Sequence, residues 1–289
     1  MQLTLVLGLL ALLALGANAI DYVGPYFIIS DNGGPIVKQR LDPVISPGKT
    51  PSNHVHNIFG ANTFKSNWDY DSAQKSSCNN MGPKADHSNY WYPALYYTDG
   101  SQYTWVPGNL EIYYHFDPID GKARTMFPHA FKMVAGDAML RHDSGAAYTE
   151  AIKWYCHGPE IIKIGSFPET FTGCPNYPWF SGEIWFPFCW DGINEFDPKQ
   201  PYLHVTYGDT TDPPSPTSPM GSPQGGKCPP SHSTPLPQLF MEFHHDISHF
   251  KVEGAKNFVL AQGDPTGSGM HADFVSQACT CVGDLLINK

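Results

Sequence analysis

The chain has 289 residues with 27 acidic against 17 basic side chains, and its formal charge of −10 weighs against nucleic acid or an anionic membrane as partner. Only 15% of residues are charged while aromatics reach 13%, and 27 Gly with 27 Pro imply short elements joined by many turns. Long helical patterns between the strand-like runs are missing, which argues against βαβ units.

The first nineteen residues are uncharged, run almost wholly apolar from Leu3 to Leu15, and end in Ala17, Asn18 and Ala19. This small-x-small ending reads residues 1–19 as a signal peptide cut before Ile20. The apolar run falls short of the roughly 20 residues that cross a bilayer. Residues 20–289 are therefore expected to form one secreted, extracellular domain with no membrane span after cleavage. Export favours disulfides for the seven cysteines, at least one of which must stay unpaired or pair between chains. The sequence-adjacent choices are Cys156 with Cys174 and Cys189 with Cys228. Cys279 and Cys281 stand too close for an ordinary mutual bridge, so one of them is assigned to reach back to Cys78.

Runs rich in aromatic or β-branched residues and bounded by turn formers predict strands, the first two at Tyr26 to Ile29 and Tyr90 to Tyr97. Further strands are predicted at Glu111 to Phe116, Phe131 to Val134, Ala151 to Cys156 and Glu183 to Phe188. The last three are Leu203 to Tyr207, Leu239 to Phe243 and Phe258 to Leu260. Residues 208–226 are almost entirely Pro, Ser, Thr, Gly and Asp, and read as a surface loop inserted in the single domain. Phe274, Ala278, Val282 and Leu285 recur at helical spacing. The fold class is accordingly all-β, sandwich or jelly-roll-like, loop-rich and disulfide-bonded, with one short C-terminal helix.

Chemistry is most concentrated in LDPVISPGKTPSNHVHNIFG, where His54 and His56 are two residues apart and would share one face of an extended strand. That spacing suits two nitrogen ligands on a metal, or a proton-transfer residue beside one that orients it; hydrogen-bonded surface histidines are the bland reading. In GDPTGSGMHADF a Gly-rich loop runs into His271 and Asp273 at the expected helix start, where free amides would favour an anion. Ordinary capping by Asp273 explains the glycines equally well. His204 and His232 lie in PYLHVTY and CPPSH, while His244, His245 and His249 read as a solvated turn after a strand. For paired-carboxylate glycosidase chemistry the available acids are Asp42, Asp86, Asp137, Asp191 and Asp273. Trp91 in SNYWYPALYY and Trp190 beside Asp191 in FPFCWDG resemble the ring-and-carboxylate pairs of sugar clefts, although core packing accounts for most such rings.

Taken in order, DPVISPGKTPSNHVHNIFG, DHSNYWYPALYY, FKMVAGDAMLR, FPFCWDG, CPPSHSTPLPQLFMEF and GDPTGSGMHADF resemble the DUF1996 family of secreted fungal proteins, over roughly Asp42 to Leu286. The resemblance takes in Asp42, His54, His56, Trp91, Asp137, Trp190, Asp191, His204, His232, His271 and Asp273 without giving them roles. Asn53, Ser233 and the QACTC tail depart from the family pattern.

Two functional readings follow. In the first, the protein binds or acts on cell-wall or other extracellular polysaccharide, with His54, His56, His271, Asp273 and Asp42 as catalytic groups and Trp91, Trp190, Asp191, His204 and His232 binding substrate. In the second, His54, His56 and His271 hold Zn or Cu in a non-catalytic or wall-associated protein. Both require residues distant in sequence to converge.

Overall fold

The computed structural model describes residues 26–277, apart from 84–85, 146, 157–161, 170, 175–176 and 211–225. The proposed signal peptide and most of the 208–226 excursion lie outside the described residues. In chain order the first strands are β1 (Tyr26–Ser30), β2 (Val37–Gln39), β3 (His56–Gly60), β4 (Asn89–Pro93), β5 (Leu95–Thr98), β6 (Tyr103–Trp105), β7 (Gly108–His115) and β8 (Lys132–Gly136). Next come β9 (Ile152–Cys156), β10 (Ile162–Ile164), β11 (Trp179–Trp185), β12 (Cys189–Trp190), β13 (Val205–Thr206), β14 (Asp209–Thr210), β15 (Gly226–Lys227) and β16 (Thr234–Pro235). The series ends with β17 (Gln238–Asp246), β18 (Phe258–Leu260) and β19 (His271–Val275), and two short helices interrupt it, α1 (Tyr70–Gln74) and α2 (Ala147–Glu150). Among the described residues no helix is long and apolar enough to cross a membrane.

Two antiparallel sheets dominate, a six-stranded one in the order β1-β7-β17-β11-β9-β10 and a five-stranded one in the order β2-β3-β4-β19-β8. Strand alternation decides what each buries. In β17 the inward set is Leu239, Met241, Phe243 and His245, and β7 adds Leu110 and Ile112. The five-stranded sheet answers with Phe59, Tyr90, Tyr92, Met133, Ala135 and Phe274 in the same apolar cluster. Tyr92 stacks on Phe243 with ring centroids 5.0 Å apart, closing the two inner faces into a sandwich.

The two outer faces differ. Over the five-stranded sheet, a second apolar cluster of Val44, Ile58, Phe64, Trp68, Trp91, Val134 and Val275 seals the surface beneath the chain that precedes α1. Strands β3, β4 and β19 are therefore buried on both faces along their whole length. The six-stranded sheet leaves its outer face half-open over β7 and β17, at Glu111, Tyr113, Glu242 and His244, while Lys153, Ser181 and Glu183 on β9 and β11 are buried.

The all-β sandwich agrees with the sequence reading, and so do the bridges Cys156–Cys174 and Cys189–Cys228. Cys78 is exposed and has no disulfide partner among the described residues; Cys279 and Cys281 fall outside them. Three expectations need correction. Tyr90 to Tyr97 is two strands, β4 and β5, broken at Ala94. The helix expected from Phe274 does not start there, because His271–Val275 pairs with β4 and β8 as a strand; Ala278, Val282 and Leu285 lie outside the described residues. An anion site at that helix N-terminus is thereby lost. Finally, His244 and His245 are not on a solvated turn but continue β17, and His245 is fully buried against Tyr92 and Phe243.

Candidate metal centre

Register places the histidines. His56 opens β3 directly opposite Pro93 of β4, and Asp273 of β19 stands opposite Trp91 of the same strand. His271, two positions before Asp273, therefore reaches the level of Pro93 from the other side. The compact Pro93 leaves room for the two imidazoles to lean together above it, with centroids 5.7 Å apart. His54 lies on the same face, 4.3 Å from the His56 ring and 4.9 Å from that of His271. One ring nitrogen from each of the three falls within 4.8 Å of the others.

The flanking chain holds this arrangement. Asp42 accepts from the amides of Val44 and Ile45, and Arg40 clamps the carbonyls of Ser52 and Asn53, so the segment leading to His54 is anchored at both ends. On the other side Asp264, fully buried, accepts from Thr266 and from the Gly269 amide, shaping the Gly-rich loop before His271. Gly136, at φ +74°, packs so tightly against the Met270 carbonyl and the His271 backbone that any Cβ there would overlap them.

Hydrogen bonds set the tautomers. His56 Nδ1 lies 2.9 Å from Leu41 O, and His271 Nδ1 lies 3.0 Å from Gly269 O. Carbonyls only accept, so both Nδ1 atoms carry the proton and both Nε2 atoms present lone pairs. His56 Nε2 is buried without a hydrogen-bond partner. His54 Nε2 approaches His271 Nε2 at 2.9 Å. Burial, reinforced by His271, Arg40 and Arg141, pushes His54 down to about 3. Burial likewise brings His271 to about 4 and, together with His54 and His271, holds His56 well below the usual imidazole range. All three rings are neutral near pH 7, the form that binds metal.

The other expected site residues do not join this group. Asp273 is buried beside the centre with both carboxyl oxygens unpartnered, and burial, then Asp42, raises it well above the usual carboxylate range. It is not among the groups whose ligand atoms converge. Trp91 is fully buried and packs edge-on against Phe64, so its ring faces have no room for a sugar. A separate group forms around β12, where Asp191 caps the backbone of Ile193 and Asn194, His204 bonds Lys132 O and His232 bonds Leu203 O. Trp190 donates to Asn194 O and meets the edge of Phe131. One cleft shared by the histidines and tryptophans is therefore not assembled.

A family model described as a domain of unknown function, DUF1996, matches residues 42–277, most of the chain. The chain belongs to the DUF1996 family. The DUF1996 match begins at Asp42 and ends at Gln277, and so contains all three histidines and the strands that carry them. No curated protein and no solved structure matches the chain.

Sequence reasoning missed one further cluster in this DUF1996 chain. Glu111, Glu242 and His244 bring ligand atoms within 4.8 Å of one another on the outer face of the six-stranded sheet. The signal was present in GNLEIYYH and QLFMEFHHD, whose period-two pattern turns Glu111, Tyr113, Glu242 and His244 outward together.

Proposed function

We propose that the chain is an exported metal-binding protein that holds zinc or copper through His54, His56 and His271. The observation that carries this reading is the partnerless Nε2 of His56, buried where two other imidazole nitrogens converge. An orphaned buried nitrogen costs about 1–3 kcal/mol, and a bound cation removes that cost. Zn–N bonds of about 2.0–2.1 Å put tetrahedral ligand nitrogens roughly 3.3 Å apart, so the three rings need only small movements to close on an ion. The backbone carbonyls of Leu41 and Gly269 serve as the outer partners that orient metal-bound histidines. Three neutral imidazoles suit zinc or copper and leave a fourth position for water or an external ligand. Export draws its support from the apolar segment 1–19 and from the two disulfides.

Elemental analysis of the purified full-length protein tests the reading. One equivalent of zinc or copper is expected in the wild type and none in His56→Ala. A wild-type protein that stays metal-free after dialysis against either ion overturns it. A carbohydrate role for these histidines has less support, since all three are buried.

A further inference from the structure

The open outer face of the six-stranded sheet carries a line of polar residues in exact register across five strands. Lys153 of β9 stands opposite Glu183 of β11, Glu183 opposite Glu242 of β17, Glu242 opposite Glu111 of β7, and Glu111 opposite Ser30 of β1. Directly opposed like charges destabilise a sheet. Three adjacent glutamates with one lysine are thus a feature that folding alone does not favour. Lys153 pairs with Glu183. That leaves Glu111 and Glu242 facing each other in a cleft of about 590 Å³, walled by Asn109, Tyr113, His244 and the aromatic rings of Tyr177 and Trp179. Tyr177 is 58% exposed.

The hydroxyls tie the pair together. Tyr113 Oη lies 2.8 Å from Glu242 Oε2 and 2.9 Å from Glu111 Oε2. Its one proton is shared between the two carboxylates and holds them close. Ser30 Oγ donates to the second oxygen of Glu111 at 3.1 Å. Tyr155 bonds the remaining oxygen of Glu242. Burial, then the Glu111 charge, raises Glu242, while the Tyr113 hydroxyl and Lys153 oppose the rise. Glu242, whose protonated form burial favours, is the one placed to carry a proton.

We propose that this cleft is a glycosidic-bond-cleaving site of the retaining type, with Glu111 as nucleophile and Glu242 as acid and base. The close approach favours retention: one oxygen of each carboxylate lies within 4.8 Å of the other and the Tyr113 hydroxyl bridges the two, in line with retaining pairs about 5–5.5 Å apart rather than inverting pairs at about 6.5–9.5 Å. Tyr177 and Trp179 also line the cleft, and aromatic side chains are the residue type on which sugars stack. In the first step a Glu111 oxygen bonds the anomeric carbon as the glycosidic C–O bond breaks, and the Glu242 proton passes to the departing oxygen. In the second, water gives its proton to Glu242 and its oxygen to the anomeric carbon, releasing Glu111 as carboxylate. One water is consumed and both residues return to their starting states.

Incubation of the full-length protein with a panel of 2,4-dinitrophenyl 2-deoxy-2-fluoro glycosides (gluco, galacto, manno and xylo), read by intact mass, tests the assignment. One sugar in the panel is expected to add a single glycosyl mass, and peptide mapping to place it on Glu111. Glu242→Gln is expected to lower turnover of an unactivated glycoside of that sugar by about 10²–10⁴-fold. The same variant should lose far less on the dinitrophenyl glycoside, whose leaving group needs no proton. Absence of labelling and of hydrolysis across the panel, or a label mapped to another residue, overturns the proposal.

Discussion

Over the five-stranded sheet the outer face is roofed, and its polar residues are three imidazoles that burial keeps neutral and the buried Asp273; over β7 and β17 of the six-stranded sheet it is half-open, and its polar residues are carboxylates, hydroxyls and the His244 imidazole. Both groups depend on strand register, which brings His56 and His271 level across Pro93 of β4 and sets Glu111 opposite Glu242 on adjacent strands. The roof makes the difference. Where Val44, Phe64 and Trp68 exclude water, an unpaired charge is unaffordable and lone-pair donors remain, which suits a cation arriving from solution. Where water reaches the strands, two carboxyl groups can share one cleft, and burial favours the protonated form of Glu242, which suits proton transfer.

Four experiments break or sharpen this contrast. Lys153→Met leaves Glu183, 8% exposed, without its partner, and urea unfolding at pH 7 should show a loss of about 3–5 kcal/mol. A loss under about 1 kcal/mol would mean that water already solvates that row. His271→Ala should weaken zinc or copper binding more than about 100-fold, beyond what removal of an outer partner costs, while Glu242→Gln leaves metal content at the wild-type level. Equal metal loss in both variants would show that the two faces are not independent.

Acid should act through buried histidines outside the metal centre. Burial lowers His245 to about 3 and, with Arg124, lowers His115 to about 4, against an unfolded value near 6.5. The unfolded chain then binds protons first, so stability present above pH 6.5 is lost as pH falls, at up to about 1.4 kcal/mol per pH unit for each histidine. The loss attributable to His115 ends near pH 4 and that to His245 near pH 3. Urea midpoints measured from pH 7 to 4 in the metal-free protein check this, and a flat profile would contradict it. The smallest effect belongs to Tyr113→Phe, which removes the hydroxyl between Glu111 and Glu242. A cost of about 0.5–1.5 kcal/mol in thermal unfolding is expected, with metal content unchanged.

Legibility in the sequence followed the same divide. Phe258–Leu260 is read with its observed bounds, and β7 and β17 are visible as strands because one face of each meets water and the alternation survives. Strand β19 is not legible: HADFV is buried on both faces and follows a Gly-rich loop, so its two polar residues resemble a helix start rather than the inward side of a sheet. For the metal centre, the His-x-His spacing and His271 could be picked out as residue types. Their meeting depends on Pro93 separating them by one strand, which no local pattern records. The Glu111 and Glu242 pairing depends on the β7 to β17 register across a long stretch of chain, and the carboxylates singled out from sequence were all aspartates.

The short ladder that joins Asp209 to Lys227 and Thr210 to Gly226 sits beside the Cys189–Cys228 bridge. The flanks of 211–225 are thus joined by backbone pairing, and Cys228 just beyond is tied covalently to Cys189. A cut between 211 and 225 would leave two pieces that the sulfur–sulfur bond links covalently and that the β7–β17, β11–β17, β4–β19 and β8–β19 ladders hold together without it. The later piece bears Glu242 and His271, the earlier one Glu111, His54 and His56, so each candidate centre is split between the two fragments and kept whole by those ladders together with the bridge.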